Sequence, residues 1–238
     1  MTFSVVGRCP RTGHLGTAIT SAVPAVGAHC CFLAAGVGAV VTQSWVNPYL
    51  GLDGLDLLRR GASATETVTA LVGVDPGAAR RQLAVVDSLG GAVNHTGMGN
   101  TAWAGARTGP GWVVQGNMLT GAETVDAMAE AYQRHATDPL DERLLAALAA
   151  GQRAGGDRRG RQSAALVIHG HEAYPALDLR VDEHTDPVTE LHRVHAVALR
   201  QLVPYIEMMP TRANPLGGRD ADTERMLGQS PDDRPGGR

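Results

Sequence analysis

The order of patterned segments is the strongest constraint on what this chain can fold into. Apolar alternation begins at once, with Phe3-Ser4-Val5-Val6-Gly7. A turn at Pro10-Arg11-Thr12-Gly13 leads to a second strand, Gly16-Thr17-Ala18-Ile19-Thr20. Strand-like runs follow at 25–28, 30–33 and 36–43, where small and β-branched residues with glycine at the bends suit closely packed strands. Asn47-Pro48 signals a turn. Residues 53–60 read as a helix ending at Gly61, and Ser63 or Thr65 caps a second helix through Val72, closed by Asp75-Pro76-Gly77. Strands return at 82–87, 92–96 and 111–117, with 97–110 as a loop. Two amphipathic helices are expected near 122–135 and 139–153; Leu140, Leu144, Leu145 and Leu148 have helical spacing. A loop at 155–161 precedes strands at 163–169 and 177–181. A long helix from about 187 to 209 opens at Asp186-Pro187, a cap followed by proline at the first helical position.

Strands and helices therefore come in groups rather than in βαβ alternation. That disfavours a doubly wound parallel sheet and predicts an α+β fold, two antiparallel sheets covered by helices. The chain's 238 residues suit one domain with a sizeable core, placed at 1–209. Residues 210–238 lose periodicity and collect Pro, Gly, Asp and Arg, and are expected to form a disordered tail.

Composition removes several function classes. A net charge of −3 leaves no footprint for a polyanion or a membrane surface. Only two Phe and three Trp are present, too few for base-stacking platforms, so no nucleic-acid partner is expected. No apolar run reaches the length of a membrane span, and no basic-then-apolar leader opens the chain, so a cytoplasmic location is expected. Three cysteines, two of them adjacent, do not make a disulfide framework. All 21 basic residues are arginine, which excludes lysine Schiff bases, lysine general bases and a Walker-type lysine. His169-x-His171 and the pair His192 and His195 lack the three or four convergent ligands of a zinc site; neither metal nor cofactor is expected.

The chemistry-bearing candidates lie at strand ends and in one charged loop. Removal of Met1 would expose Thr2 at the tip of the first strand. Such a residue carries a hydroxyl nucleophile and an α-amino group that serves as its base. Asn117, beside Gly116 at a strand end, is a candidate donor to a developing oxyanion; a turn or helix cap accounts for it equally. Gly155-Gly156-Asp157-Arg158-Arg159-Gly160 either delivers Asp157 and Arg159 to a site, with Gln162 and Ser163 entering the next strand, or is a solvated turn. Arginine suits bidentate binding of a carboxylate or oxyanion. Gln43 and Asn47, in Thr42-Gln43-Ser44-Trp45-Val46-Asn47, are polar strand-end residues of the same kind.

These residues carry a resemblance. The chain resembles the bacterial domain-of-unknown-function family 1028, grouped with the N-terminal-nucleophile (Ntn) hydrolase superfamily. The match runs through Met1-Thr2-Phe3-Ser4-Val5-Val6, Gly16-Thr17-Ala18-Ile19-Thr20-Ser21, Thr42-Gln43 and Val46-Asn47-Pro48. It continues through Val114-Gln115-Gly116-Asn117, Gly155-Gly156-Asp157-Arg158-Arg159-Gly160, Gln162-Ser163-Ala164-Ala165-Leu166 and Asp178-Leu179-Arg180-Val181-Asp182. The resemblance implies a four-layer αββα sandwich and amide-bond hydrolysis by an N-terminal residue, which falls on Thr2. Proteasome-type relatives place a lysine beside that nucleophile, and this chain has none.

The expected function is a metal-independent amidohydrolase cleaving an amide, peptide or ureido bond in a small molecule through an acyl-enzyme. Its catalytic set is Thr2, Asn117, Asp157 and Arg159, and Ser21, Gln43, Asn47, Gln162 and Ser163 bind substrate. The expected partners are that small-molecule amide and further copies of the chain. The alternatives are a catalytically silent sandwich that binds a small molecule or scaffolds a complex, and an acyltransferase or cyclase using the same nucleophile.

Overall fold

The computed structural model describes residues 2–237. In chain order, β1 (Thr2–Arg8) and β2 (Leu15–Ser21) form a hairpin, followed by the short helix α1 (Val26–Cys30), β3 (Cys31–Ala34) and β4 (Gly38–Ser44). Helices α2 (Pro48–Arg59) and α3 (Ala64–Val74) precede β5 (Arg81–Asp87), β6 (Ala92–Thr96), β7 (Gly105–Gly109) and β8 (Trp112–Asn117). Then come α4 (Glu123–Arg134), α5 (Leu140–Arg153), β9 (Ser163–His169), β10 (Leu177–Val181), α6 (Pro187–Gln201), α7 (Val203–Met208) and α8 (Ala221–Leu227).

The strands make two sheets, one ordered β10-β9-β2-β1-β8-β7 and the other β3-β4-β5-β6. Every neighbouring pair is antiparallel. Side chains alternate across a strand, so each strand feeds two layers. From β1, Phe3 and Val5 pack with Met128 and Tyr132 of α4 and Leu144 and Leu148 of α5. Val6 points the other way and packs with Ile19, Val113, Ala39, Val41, Ala84 and Val86 between the sheets. On the far side, Val40 and Val85 meet Leu55 and Leu58 of α2 and Val68 of α3. The layers are therefore helix, sheet, sheet, helix, as expected.

Local chemistry explains the helix starts. Asn47 caps α2, accepting from the Tyr49 N–H at 3.2 Å, with Pro48 at the first helical position. Ser63 and Glu66 form a reciprocal capping box on α3. Proline at that position is why α2 starts at Pro48, where a turn was expected.

Four other expectations are corrected. The run at 25–28 is not a strand: Val26–Cys30 is a helical turn, entered through Ala25 in the left-handed region at φ 52°. The 97–110 loop contains β7, an edge strand whose glycines and exposed Arg107 and Thr108 conceal any alternation. The long helix divides at Leu202, where Pro204 lacks an N–H for helix continuation. Residues 210–237, expected to be disordered, carry α8, capped by Asp220 accepting from the Thr223 N–H at 2.8 Å. That segment is tied back to the body: Gln201 Nε2 donates to the Pro235 carbonyl at 3.2 Å and Tyr174 Oη to that of Pro210 at 3.1 Å.

Candidate active site

The alternation that fills the inter-sheet layer with Val6 also places Thr2 and Ser4 in it, because they share the face of β1. Their register partners on β8 are Asn117 and Gln115, and Val6 meets Val113. On the facing sheet Gln43 of β4 stands opposite Gln82 of β5. One end of the layer is thus apolar and the other is lined by hydroxyls and amides. Thr2, Ser4, Ser21, Gln43, Gln82, Gln115 and Asn117 are all buried there.

Thr2 lies at the open margin of this polar end. Its Oγ1 and the Ser21 Oγ share a hydrogen bond of 3.1 Å. Its carbonyl accepts from Gln43 Nε2 at 3.2 Å and, at 3.4 Å, from Asn117 Nδ2. Both amides also donate to one acceptor, Gln82 Oε1, at 2.8 and 3.0 Å. The end of β1 is therefore clasped from both sheets.

Behind the clasp the side chains close a ring. Ser4 Oγ donates to Gln43 Oε1, Gln43 Nε2 to Gln82 Oε1, and Gln82 Nε2 to Thr96 Oγ1. Thr96 Oγ1 donates to Asn94 Oδ1, Asn94 Nδ2 to Gln115 Oε1, and Gln115 Nε2 back to Ser4 Oγ. Gln82 also donates to the Gly116 carbonyl, and Asn94 to that of Leu83, each at 2.9 Å. A buried amide without partners costs about 1–3 kcal/mol per orphaned group, so satisfaction of this whole set is a condition of the fold.

The charged loop reaches the same end. Asp157 is buried and bridges to Leu119, two residues beyond Asn117. Its carboxylate accepts from the Ala22 N–H at 3.3 Å, the Arg159 N–H at 2.8 Å and Arg159 Nη2 at 3.3 Å. It thereby ties down the chain just after Ser21. The Arg159 side chain is 39% exposed and folds back onto this carboxylate.

The remaining candidates separate by what they touch. Gln162 joins through its backbone, its N–H donating to the Ser21 carbonyl at 2.9 Å. Ser163 is buried, donates to the Val23 carbonyl at 2.6 Å and accepts from the Val26 N–H at 3.1 Å, so it anchors the segment leading into α1. Asn47 holds the start of α2 and does not line the Thr2 pocket. Asn117 does reach Thr2, but its amide hydrogens are directed at Gln82 and the Thr2 carbonyl. Among the described residues no group of three or more His, Cys, Asp or Glu is placed to hold a metal. His14 faces His171, with Nε2 atoms 3.4 Å apart, while buried His195 contacts Asp141 at 2.6 Å.

Sequence reasoning missed Gln82, Gln115, Ser4, Asn94 and Thr96 as parts of this assembly. The signal was present but faint: an amide opening an otherwise apolar strand, Gln82-Leu83-Ala84-Val85-Val86. It becomes meaningful only once the register sets Gln82 against Gln43.

Backbone strain collects at the same place. Among the described residues, the non-glycine residues with positive φ are Ala25 (52°), Ser44 (73°) and Met118 (51°). Ser44 follows Gln43, Met118 follows Asn117, and Ala25 and Ser44 line a cavity of about 320 Å³ that contains Thr2. Each such conformation costs on the order of 1–3 kcal/mol and persists where surrounding structure enforces it, commonly at functional sites.

The fold and site together define an αββα sandwich with a buried hydroxyl presented at the polar end of its inter-sheet layer. The chain belongs to the family described as "Family of unknown function (DUF1028)", whose model matches residues 2–191. It is similar to the crystal structure of protein SPO2555 from Silicibacter pomeroyi, of the same family. The identity is 30%, the TM-score 0.84, and the match covers 92% of this chain and 99% of that one. Anbu (ancestral beta-subunit) from Yersinia bercovieri aligns at 14% identity and TM-score 0.38 over 87% of this chain and 98% of that one. An Anbu mutant from Hyphomicrobium aligns at 13% and 0.40 over 89% and 100%. Likeness this loose does not bear on the site. No curated protein matches the chain.

Proposed function

We propose that the protein is an N-terminal-nucleophile amidohydrolase in which Thr2 attacks the carbonyl of a small amide, peptide or ureido compound. The observation that carries the reading is the Thr2 hydroxyl, held by Ser21 at the end of a central strand and opening into a cavity. The mechanism requires a free α-amino group on Thr2. Met1, whose removal would supply it, lies outside the described residues.

The free amine, with a reference pKa of about 7.7–8.0, is suited to act as base near neutral pH. It takes the proton as Thr2 Oγ1 forms its bond to the carbonyl carbon. The tetrahedral species collapses with cleavage of the C–N bond, and the same proton passes to the departing amine. Water then repeats the sequence on the ester, releasing the acid and regenerating Thr2. Ser21 positions Oγ1. Gln43 and Asn117 act on the nucleophile's own carbonyl, which makes them positioning residues. Asp157 fixes the Ser21–Ala22 backbone, and Arg159, part-exposed beside it, is assigned the polar part of a substrate.

Intact mass of the purified protein should show loss of one methionine. Turnover on a panel of amides, ureas and peptides should persist in part in Thr2→Ser and fall to background in Thr2→Ala, with both variants folded. Retained Met1 in an active preparation, or near-normal turnover by Thr2→Ala, would refute the mechanism. Methionine retention without any turnover would instead favour a binding role for the same cavity.

A further inference from the structure

The cavity beside Thr2 has a one-sided chemistry. One wall is the chain from β2 into α1, contributing Val23, Pro24, Ala25 and Val26; the other carries Val46 and Pro48. The polar contributors besides Thr2 are Ser44, His29 and Cys30, and neither a carboxylate nor a guanidinium lines it. Burial pushes the Cys30 thiol up to about 12, so it stays neutral at physiological pH. Asp157 and Arg159 lie outside the lining.

The walls are also braced. Ser163 holds Val23 and Val26 by their backbones. Arg81 Nη1 donates to the Trp45 carbonyl at 2.6 Å, and the Arg80 guanidinium sits 4.2 Å over the Trp45 ring. Trp45 and Tyr49, each next in sequence to a lining residue, are exposed by 58% and 70%. Apolar surface thus continues outward from the cavity.

We infer that this cavity is the subsite for the acyl substituent of the substrate, and that it selects a neutral, apolar side chain in the leucine-to-phenylalanine range. The inference rests on Thr2 being the nucleophile. A carboxylate or ammonium entering here would lose its water and find neither guanidinium nor carboxylate in the lining, and the one amine at hand, that of Thr2, must be neutral to act as base. A branched aliphatic or aromatic group would replace water against valine and proline walls while leaving its carbonyl beside Thr2 Oγ1.

Three β-lactones that differ only in the substituent next to the carbonyl test this: isobutyl, carboxyethyl and aminobutyl. Attack by Thr2 Oγ1 forms a new ester bond and breaks the ring C–O bond. The proton from Oγ1 ends on the released ring oxygen, so the adduct carries the full mass of the lactone. In mature protein, followed by intact mass and lactone consumption, the isobutyl compound should react roughly tenfold or more faster than either charged one. Val46→Arg, a change at a partly exposed wall position, should erase that preference and favour the carboxyethyl compound. Thr2 adducts forming at equal rates from all three lactones would overturn the subsite while leaving the nucleophile standing. Absence of any adduct or consumption would overturn the nucleophile and the subsite together.

Discussion

At one end of the layer between the sheets, Val6, Val113, Val41 and Ala84 meet side chain to side chain. Two residues further along the same strands stand Ser4, Gln115, Gln43 and Gln82, equally buried. Both ends obey the same alternation and the same pairings. The difference lies in what each tolerates. The apolar end is held by area removed from water, which is non-directional and yields gradually to substitution. The polar end is held by hydrogen bonds that must all be made, because a desolvated amide without a partner is costly. A protein that needs one backbone carbonyl and one hydroxyl held in fixed positions gains more from the second kind of packing.

The sharpest way to break the comparison is Gln82→Leu. It preserves approximate volume but removes the acceptor shared by Gln43 and Asn117 and the donor to the Gly116 carbonyl. Two buried donors and a carbonyl lose partners, for an expected loss of about 3–6 kcal/mol in chemical denaturation. β-Lactone acylation of Thr2 should slow in whatever fraction remains folded. A Gln82→Leu protein as stable as the parent would show that the ring is dispensable. Val41→Ala probes the apolar end: two methyls lost should cost about 1–3 kcal/mol, with acylation of Thr2 unchanged. If acylation fell in parallel with stability, the two ends would be one mechanical unit. The smallest effect is expected for Asn47→Ala. Loss of the α2 cap should cost about 1 kcal/mol and leave the relative rates of the three lactones unaltered. A changed preference would restore Asn47 to the substrate-binding set.

Much of this architecture is readable in advance where the local signal and the tertiary role agree. The strands from β1 to β5 announce themselves by alternation, α3 by its capping box, and α5 by its leucine spacing. Where the two part company, reading fails. Ala25-Val26-Gly27-Ala28 is too short for a helical period and looks like a strand. β7 is an edge with little to bury. α8 has no apolar period and depends on contacts with α6. The site divides in the same manner. Thr2, Ser21 and Asn117 are visible as polar residues at strand ends, and register brings them side by side. Asn47 looks identical in sequence and serves a helix. Gln82 and Gln115 look like interruptions of apolar strands, since a hydrogen-bond partner on another sheet leaves no local trace.

The closed ring of six side chains has a handedness of traffic. Every member gives a proton to the next and receives one from the last, so no single amide can turn end over end without setting N–H against N–H, or oxygen against oxygen, at its amide neighbour. Two circulations are conceivable, and the backbone distinguishes them. Reversing the ring would turn Gln43 Oε1 toward the Thr2 carbonyl and Asn94 Oδ1 toward that of Leu83, both repulsive. The polypeptide at Thr2 therefore selects the direction in which the amides point. In return, that carbonyl is joined through Gln43 to a circuit that runs as far as Asn94 and Thr96 on β6.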